Sequence, residues 1–268
     1  MTKHLDIFSA FISQTGFGDI PAETVSRAKL IIADCVGAIV GGSAEPEILA
    51  FTSSIKSSGT SRILGSLNLT DPQTASLING TAGTVLEMDE GHQFARGHPG
   101  MHIFPALLAA TESTPESVSG KDFLTAFIIG YDIAARIGLA TSLNANMHPH
   151  GTWGVVGAAA ALGALNRLDE VQLAELLNIA SSLTLATSRK TMLEGGTVRN
   201  AYTGVANQMS HTAHQLLMAG FTGEQDGIGS VFGGVVSSGF DVEASLESIG
   251  TRFEVDRNYF KLHACCRY

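Results

Sequence analysis

Basic residues are scarce in this chain, and their scarcity narrows the classes of partner that it can bind. The 268 residues include 16 lysines and arginines against 25 aspartates and glutamates, for a net charge of -9 at pH 7. A nucleic acid usually binds to a basic surface, so no nucleic-acid partner is expected. No apolar run reaches the roughly 18 residues of a membrane span, and residues 1–10 do not resemble a signal segment. We therefore expect no membrane partner.

Cysteine is also rare, which excludes several kinds of site. Two of the three cysteines are adjacent, at positions 265 and 266, so no disulfide framework is expected, and this usage suits a reducing cytoplasm. An iron–sulfur cluster needs about three spaced cysteines, a zinc protease needs HExxH, and a dinucleotide site needs GxGxxG after a strand. The sequence contains none of these patterns. We expect a cytoplasmic protein without a metal ion or a cofactor.

Helical periodicity and small residues dominate what the chain does contain. Apolar residues recur at i, i+3 and i+4 spacing, which predicts several helices and few strands. The 30 glycines, together with alanine-rich stretches, allow helices to approach closely. We therefore predict an all-α fold, a compact helical bundle domain over residues 1–268. The predicted helices cover residues 21–40, 119–140, 171–185 and 206–219, with a short strand at 61–67.

The segment 79–105 concentrates titratable side chains before an apolar stretch. Three carboxylates and two histidines lie within residues 87–98 of a chain that is only 15% charged. Titratable groups between a loop and an apolar helix often have shifted pKa values and can transfer protons. If the proline after His98 begins a helix, the positive helix end disfavours a charged imidazole and keeps His98 ready to accept a proton.

Short motifs in this segment and along the chain resemble those of the MmgE/PrpD family. Residues 79–90 read NGTAGTVLEMDE, and residues 97–100 read GHPG. Further matches, in the family's order, are DCVG at 34–37, HP at 148–149, GFTG at 220–223 and FK at 260–261. The family includes 2-methylcitrate dehydratases, cis-aconitate decarboxylases and iminodisuccinate epimerases. The resemblance therefore implies a lyase or an isomerase.

The resemblance implies a large helical domain, in agreement with the helical periodicity. Members of the family carry a smaller α/β lid domain after the helical part. The present chain ends at Tyr268, shortly after the motif that contains Lys261. We therefore expect that the family's lid domain is missing from this chain because the chain is truncated.

The resemblance also implies catalytic residues. His98 and His148 match histidines that line the family's active site. Glu87 and Asp89 stand where many members carry an Asp-x-Asp-Asp run, and carboxylates near histidines can orient an imidazole or accept a proton. These four residues are the predicted catalytic groups.

Three basic residues are predicted to bind the substrate. Arg199 and Lys261 match basic positions of the family, and Arg96 lies within the histidine-rich segment. Arginine suits bidentate contact with a carboxylate better than lysine does. Together these cations would provide the local positive charge that an anionic substrate needs in an acidic protein.

We therefore expect a metal-free lyase or isomerase that removes a proton next to a carboxylate of a small di- or tricarboxylate. A 2-methylcitrate dehydratase-like activity is favoured, because dehydration is the family's commonest chemistry. Gly91 stands where some decarboxylating members have threonine, which argues against decarboxylation. Two alternatives stay open: epimerisation of an iminodisuccinate-like substrate, and a non-catalytic helical dimerisation module. We also expect a homodimer.

Overall fold

The computed structural model describes residues 2–265, most of which lie in helices. The end of the predicted domain, residues 266–268, lies outside the described residues. The α-helices are α1 (Lys3–Gln14), α2 (Ala22–Gly42), α3 (Pro46–Ser54), α4 (Pro72–Val85), α5 (Pro99–Ser113), α6 (Gly120–Ala140), α7 (Gly154–Leu165), α8 (Glu170–Ser182), α9 (Arg189–Leu193), α10 (Ala201–Met218), α11 (Gly227–Ser230) and α12 (Val242–Leu246).

Short strands and turns complete the described chain. The strands form three antiparallel pairs, β1 with β2, β3 with β6 and β4 with β5. The all-α prediction therefore holds for the main architecture and misses these ladders. The strands are β1 (Ser61–Arg62), β2 (Leu69–Thr70), β3 (Gly91–His92), β4 (Thr141–Leu143), β5 (Ser237–Phe240) and β6 (Asn258–Tyr259). Short 3₁₀ helices cover Phe17–Asp19, Thr197–Asn200 and Glu254–Arg257, and a π-helical turn covers Val231–Val235.

Helix α7 lies at the centre of the domain. Its residues 154–163 are all buried, and α5, α6, α8 and α10 pack around it. Small residues allow this contact, since a Cβ atom on Gly157 would lie 2.4 Å from Ala134 Cβ. A Cβ atom on Gly130 would likewise lie 2.8 Å from the Gly157 carbonyl oxygen. The prediction that small side chains bring the helices together is confirmed.

The four predicted helices are present with shifted ends, as α2, α6, α8 and α10. Helix α10 begins at Ala201 rather than at residue 206. The sequence pattern is weak there because of Gly204, but this glycine is needed for packing. A Cβ atom on Gly204 would lie 2.1 Å from the Leu77 carbonyl oxygen of α4. The predicted strand at 61–67 shortens to β1.

Helix α6 is long and apolar enough, by length and composition alone, to cross a membrane. This corrects the expectation that no apolar stretch reaches that length. In the structure, 78% of the apolar window is buried inside the domain, and Asp132 forms a buried ion pair with Arg136 within the helix. Helix α6 is thus part of the protein core.

Helix α5 begins directly after His98 and contains a proline that interrupts its hydrogen bonds. Pro105 has no N–H, so the Met101 carbonyl lacks its helical partner. Asn207 of α10 replaces that partner: its Nδ2 donates to Met101 O at 3.0 Å, and its Oδ1 accepts from Ala106 N at 2.9 Å. The buried amide therefore fastens α5, and the histidine before it, to α10.

We predict that Asn207→Leu lowers the free energy of unfolding by about 2–6 kcal/mol. Two buried backbone groups lose their partner, and each loss costs about 1–3 kcal/mol. Urea denaturation followed by circular dichroism measures the change. Gln208→Leu, a partly exposed position on the same helix, is the control and should change stability by less than about 1 kcal/mol. An equal effect of both substitutions would contradict the proposed role of Asn207.

Candidate active site

The acidic segment between α4 and α5 meets the end of the described chain because β3 pairs with β6. This pairing brings Lys261 to the predicted carboxylates. Lys261 Nζ lies 3.3 Å from Asp89 Oδ1 and 3.4 Å from Glu87 Oε2, and it donates to the Glu87 carbonyl at 3.1 Å. The Lys261 side chain is only 1% exposed. Lys261 is therefore a buried counter-charge for the two carboxylates.

Glu87 lies between two of the predicted cations. Its carboxylate forms an ion pair with Arg199 as well as with Lys261. Glu87 and Arg96 both have a backbone φ of 54°, in the left-handed region that residues with a Cβ atom seldom adopt. Such conformations concentrate at functional sites, where the surrounding structure holds them in place.

Asp89 links the lysine to a histidine. Burial raises the pKa of Asp89 to about 6, and the charge and hydrogen bond of Lys261 oppose this rise. Asp89 Oδ2 lies 3.3 Å from His98 Nδ1. The same nitrogen makes a short hydrogen bond to the Glu90 carbonyl. A carbonyl only accepts, so Nδ1 of His98 carries the proton and Nε2 is the basic nitrogen.

His98 is neutral, as the sequence predicts, but the main physical cause differs. Pro99 does begin α5, so the predicted helix end is present. Burial is the larger influence: it lowers the pKa of His98 to about 3, and the charge of Lys261 adds to the effect. A bound carboxylate would raise the pKa of His98 again, because a nearby negative charge favours the imidazolium form.

The loop before α7 carries two further histidines. The Thr187 hydroxyl holds this loop, lying 2.8 and 2.9 Å from the carbonyl oxygens of His148 and His150. The His150 backbone N–H donates to His148 Nδ1 at 3.1 Å, so His148 carries its own proton on Nε2. Burial is the main reason that the pKa of His148 is lowered to about 4, and electrostatic interactions with His98 and Arg189 lower it further. His98 and His148 are thus neutral imidazoles of opposite tautomers.

A cavity of about 450 Å³ opens beside these residues. Apolar parts of its wall come from Met147 and Trp153. The cavity therefore combines neutral histidines with cations inside an acidic protein, as an anionic ligand requires. Its polar lining includes His98, His148, His150, Arg96, Arg189 and Arg199.

Glu90, which the sequence analysis did not select, lies beside the cluster. Its Oε1 accepts from Gly100 N at 2.7 Å, and its Oε2 accepts from the Tyr131 hydroxyl at 2.9 Å. Burial raises the pKa of Glu90 to about 8. Its backbone N–H donates to Asp34 at 2.9 Å, which gives the DCVG motif of α2 a structural role.

The structure brings the predicted site residues together, whereas His92 of the same segment lies apart from them. His98, Asp89, Lys261, Glu87 and Arg199 form one chain of contacts, and His148 and Arg96 line the adjoining cavity. His92 is directed elsewhere, with its Nε2 3.1 Å from Glu254 and both side chains buried. Sequence reasoning missed Arg189, which reaches the cavity because residues 147 and 188 form an isolated β-bridge.

The histidines meet as edge-to-face ring pairs. The His98 and His150 ring centroids are 4.7 Å apart, and those of His148 and His150 are 4.4 Å apart. Within residues 2–265 there is no group of three or more His, Cys, Asp or Glu side chains placed to hold a metal ion. A reaction without a metal or a cofactor stays a prediction.

Comparison with known proteins decides the family. The MmgE/PrpD N-terminal domain matches residues 6–243. The chain belongs to the MmgE/PrpD family. It is 26% identical over 267 residues to a cis-aconitate decarboxylase of Aspergillus terreus, covering 92% of this chain and 54% of the relative. It is 25% identical over 276 residues to a cis-aconitate decarboxylase-like protein of Aspergillus oryzae, covering 92% of this chain and 55% of that protein.

The match to the MmgE/PrpD family confirms the resemblance carried by the motifs along the chain. The mostly helical architecture agrees with the family's N-terminal domain. The curated relatives are named as a cis-aconitate decarboxylase and a cis-aconitate decarboxylase-like protein. The chain spans about half the length of these relatives.

We predict that Glu90→Gln changes how stability depends on pH. Glu90 has an ordinary pKa of 4.5 and a pKa of about 8 in the folded protein. Between these values the folded state keeps a proton that the unfolded state releases, so the contribution of Glu90 to stability falls as pH rises. Glutamine does not titrate, so the variant does not lose stability in this way as pH rises. The stability of Glu90→Gln relative to the parent should therefore increase with pH, by up to about 1.4 kcal/mol per pH unit.

Urea denaturation of both proteins between pH 5.5 and 7.5 measures this difference. Glu243→Gln, which changes an exposed carboxylate paired with Lys3, is the control. Its stability difference from the parent should not vary with pH. A difference for Glu90→Gln that is equally constant would contradict the buried, protonated state of Glu90.

Proposed function

We propose that the protein is a lyase that removes a proton next to a carboxylate of a small di- or tricarboxylate, and that the reaction is a dehydration of a 2-methylcitrate-like substrate. The observation that carries this proposal is the pair of neutral histidines on one cavity wall. His98 presents a basic nitrogen, and His148 presents an N–H donor. Proton removal next to a carboxylate needs both a base and a donor for the negative charge that develops.

In the proposed dehydration, His98 Nε2 takes the proton from the carbon next to a carboxylate. The electron pair of the broken C–H bond forms the C=C bond, while the C–O bond to the neighbouring hydroxyl breaks. The His98 imidazolium returns the proton to the departing hydroxyl, which leaves as water. The Nε2–H of His148 stays in place and stabilises the enolate-like charge by a hydrogen bond.

The cations support a substrate with more than one carboxylate. Arg96, Arg189 and Arg199 line the cavity, and guanidinium groups bind carboxylates through two parallel hydrogen bonds. Glu87 now holds Arg199, so a substrate carboxylate would compete with this ion pair. Glu87 and Asp89 stay predicted catalytic residues, and their contacts favour a role in orienting Lys261 and His98.

The names of the relatives favour a second candidate, decarboxylation of a cis-aconitate-like substrate. We favour dehydration over decarboxylation because position 91, where some decarboxylating members have threonine, is tightly packed. A Cβ atom on Gly91 would lie 2.3 Å from the Tyr259 hydroxyl oxygen. The threonine of some decarboxylating members would fit at this position only if the Tyr259 side chain moved. Product analysis separates the candidates: dehydration of 2-methylcitrate keeps every carboxylate, whereas decarboxylation of cis-aconitate releases carbon dioxide. Epimerisation would instead racemise an iminodisuccinate-like substrate.

Three further features belong to the proposal. A lid domain that closes the cavity is supported by the match to a domain described as N-terminal and by relatives about twice as long. Water excluded by such a lid would strengthen the electrostatic contacts in the cavity. A homodimer in the cytoplasm stays a prediction, which analytical ultracentrifugation and cell fractionation test. Activity is therefore to be measured on the full-length protein.

We predict that the same substitution has different effects at the two histidines. His98→Gln should lower turnover and hydrogen exchange next to the carboxylate by roughly a hundredfold or more, because an amide cannot act as the base. His148→Gln should keep part of both activities, because the glutamine amide still offers an N–H near the position of Nε2. Nuclear magnetic resonance of each candidate substrate in deuterated buffer with a chelator measures exchange and turnover together.

His4→Asn is the control for this experiment. His4 is buried and lies 2.8 Å from Asp226, apart from the cavity, so the substitution should affect stability and not the exchange rate per folded molecule. Equal and small effects of both glutamine variants would exclude His98 as the base. Activity that a chelator abolishes and a divalent ion restores would contradict a metal-free reaction.

We predict that Lys261→Met and Arg199→Lys both raise KM by about tenfold or more, the scale of one lost charge-assisted hydrogen bond. Without Lys261, the site loses a positive charge that attracts an anionic substrate and that balances the Glu87 carboxylate. Lysine at position 199 would keep the charge but lose the planar fork. Steady-state kinetics measure the change, and Lys190→Met, an exposed residue on α9, is the control. An unchanged KM in both variants would remove these residues from the binding site.

A further inference from the structure

His150 is a histidine of the cavity wall whose ring nitrogen Nδ1 has no hydrogen-bond partner among residues 2–265. It is 4% exposed and lines the cavity. Its ring contacts the rings of His98, His148 and His102, with centroid distances of 4.7, 4.4 and 5.5 Å. The side chain therefore lies between the proposed base and the proposed donor.

The other histidines of this cluster have defined hydrogen-bonding roles. Both ring nitrogens of His102 have hydrogen-bond partners: its Nδ1 is 2.8 Å from the His98 carbonyl oxygen, and its Nε2 accepts from Gly151 N at 3.2 Å. Within residues 2–265, by contrast, the buried Nδ1 of His150 has no hydrogen-bond partner. A buried polar atom without a partner costs free energy, so an unpartnered nitrogen on a side chain that lines a cavity indicates a missing ligand group.

The charge state of His150 indicates which kind of ligand group would suit its ring. Burial lowers the pKa of His150 well below its ordinary value, and the neighbouring histidines and Lys261 add to the effect. The imidazole is therefore neutral and offers one donor and one acceptor. A carboxylate binds better to the arginines of the same cavity, whereas a hydroxyl group, which both donates and accepts, suits a neutral imidazole.

We propose that His150 determines specificity by hydrogen bonding to a hydroxyl group on the carbon skeleton of a hydroxylated polycarboxylate. The inference rests on the proposed function and assigns a residue to the recognition of the substrate's hydroxyl group. A hydroxyl held by His150 would lie beside both His98 and His148, where the proposed elimination needs it. An unsaturated tricarboxylate without a hydroxyl would leave the imidazole unpartnered.

Binding of citrate and tricarballylate to the full-length protein tests the proposal. These ligands share three carboxylates, and only citrate has the hydroxyl group. Isothermal titration calorimetry should show that the parent protein binds citrate about three- to tenfold more tightly, the scale of one net hydrogen bond. His150→Phe, which keeps a flat ring without polar atoms, should lose this preference by weakening citrate binding alone. His150→Asn should retain part of it, because the amide restores a donor and an acceptor.

His102→Phe is the matched control in the same cluster. It removes two satisfied hydrogen bonds, so it should lower the melting temperature, whereas His150→Phe should not. If His150→Phe fails to fold by circular dichroism, His150→Leu takes its place with the same expected loss of preference. A citrate preference that survives in the apolar variant would overturn the proposal.

Binding measurements on the parent protein also distinguish a failure of this inference from a failure of the proposed function. Equal affinity for citrate and tricarballylate would overturn the role of His150 and leave polycarboxylate binding in place. Binding of neither ligand would overturn both, since the cavity would then not hold a polycarboxylate. The measurement needs no turnover, so a failure of the dehydration assay alone does not decide it.

Discussion

The buried contact of Asp89 with Lys261 is the interaction on which the candidate site depends. Asp89 comes from the loop before β3, and Lys261 lies two residues beyond β6, the strand that pairs with β3. The pair therefore joins two distant parts of the chain. An unpaired charge at either position would be costly in the protein interior. Because the pair is buried, it also holds Asp89 against His98, and it holds the carbonyl and carboxylate of Glu87 in place.

The same burial explains why the site can hold several histidines without charge repulsion. Imidazoles that remain neutral can pack edge to face, as His98, His148 and His150 do. Neutral rings also have distinct nitrogens, one with a proton and one without, and backbone contacts decide which is which. The Glu90 carbonyl and the His150 N–H therefore give His98 and His148 opposite tautomers without any difference in side-chain type.

Helix packing supports this arrangement at a distance. Small residues on α6 and α7 bring the loop before α7 close to α5, and a Cβ atom on Gly154 would lie 2.1 Å from the His102 ring. Asn207 fastens α5 where Pro105 interrupts it. The polar cluster thus rests on rigid elements, as a site that depends on small differences in geometry requires.

Local properties of the sequence determined the helical class and its main elements, because amphipathic periodicity is visible within a single segment. The start of α5 after His98 was also predictable, since proline at the next position favours a first helical turn. Motif order along the chain was sufficient to indicate the MmgE/PrpD family. Only the tertiary structure placed Lys261 against Asp89, brought Arg189 to the cavity, and buried Glu90 so that its pKa rises. It also left Nδ1 of His150 without a hydrogen-bond partner among residues 2–265. These properties depend on contacts between residues far apart in the chain and on exclusion from water, and neither is encoded in local spacing.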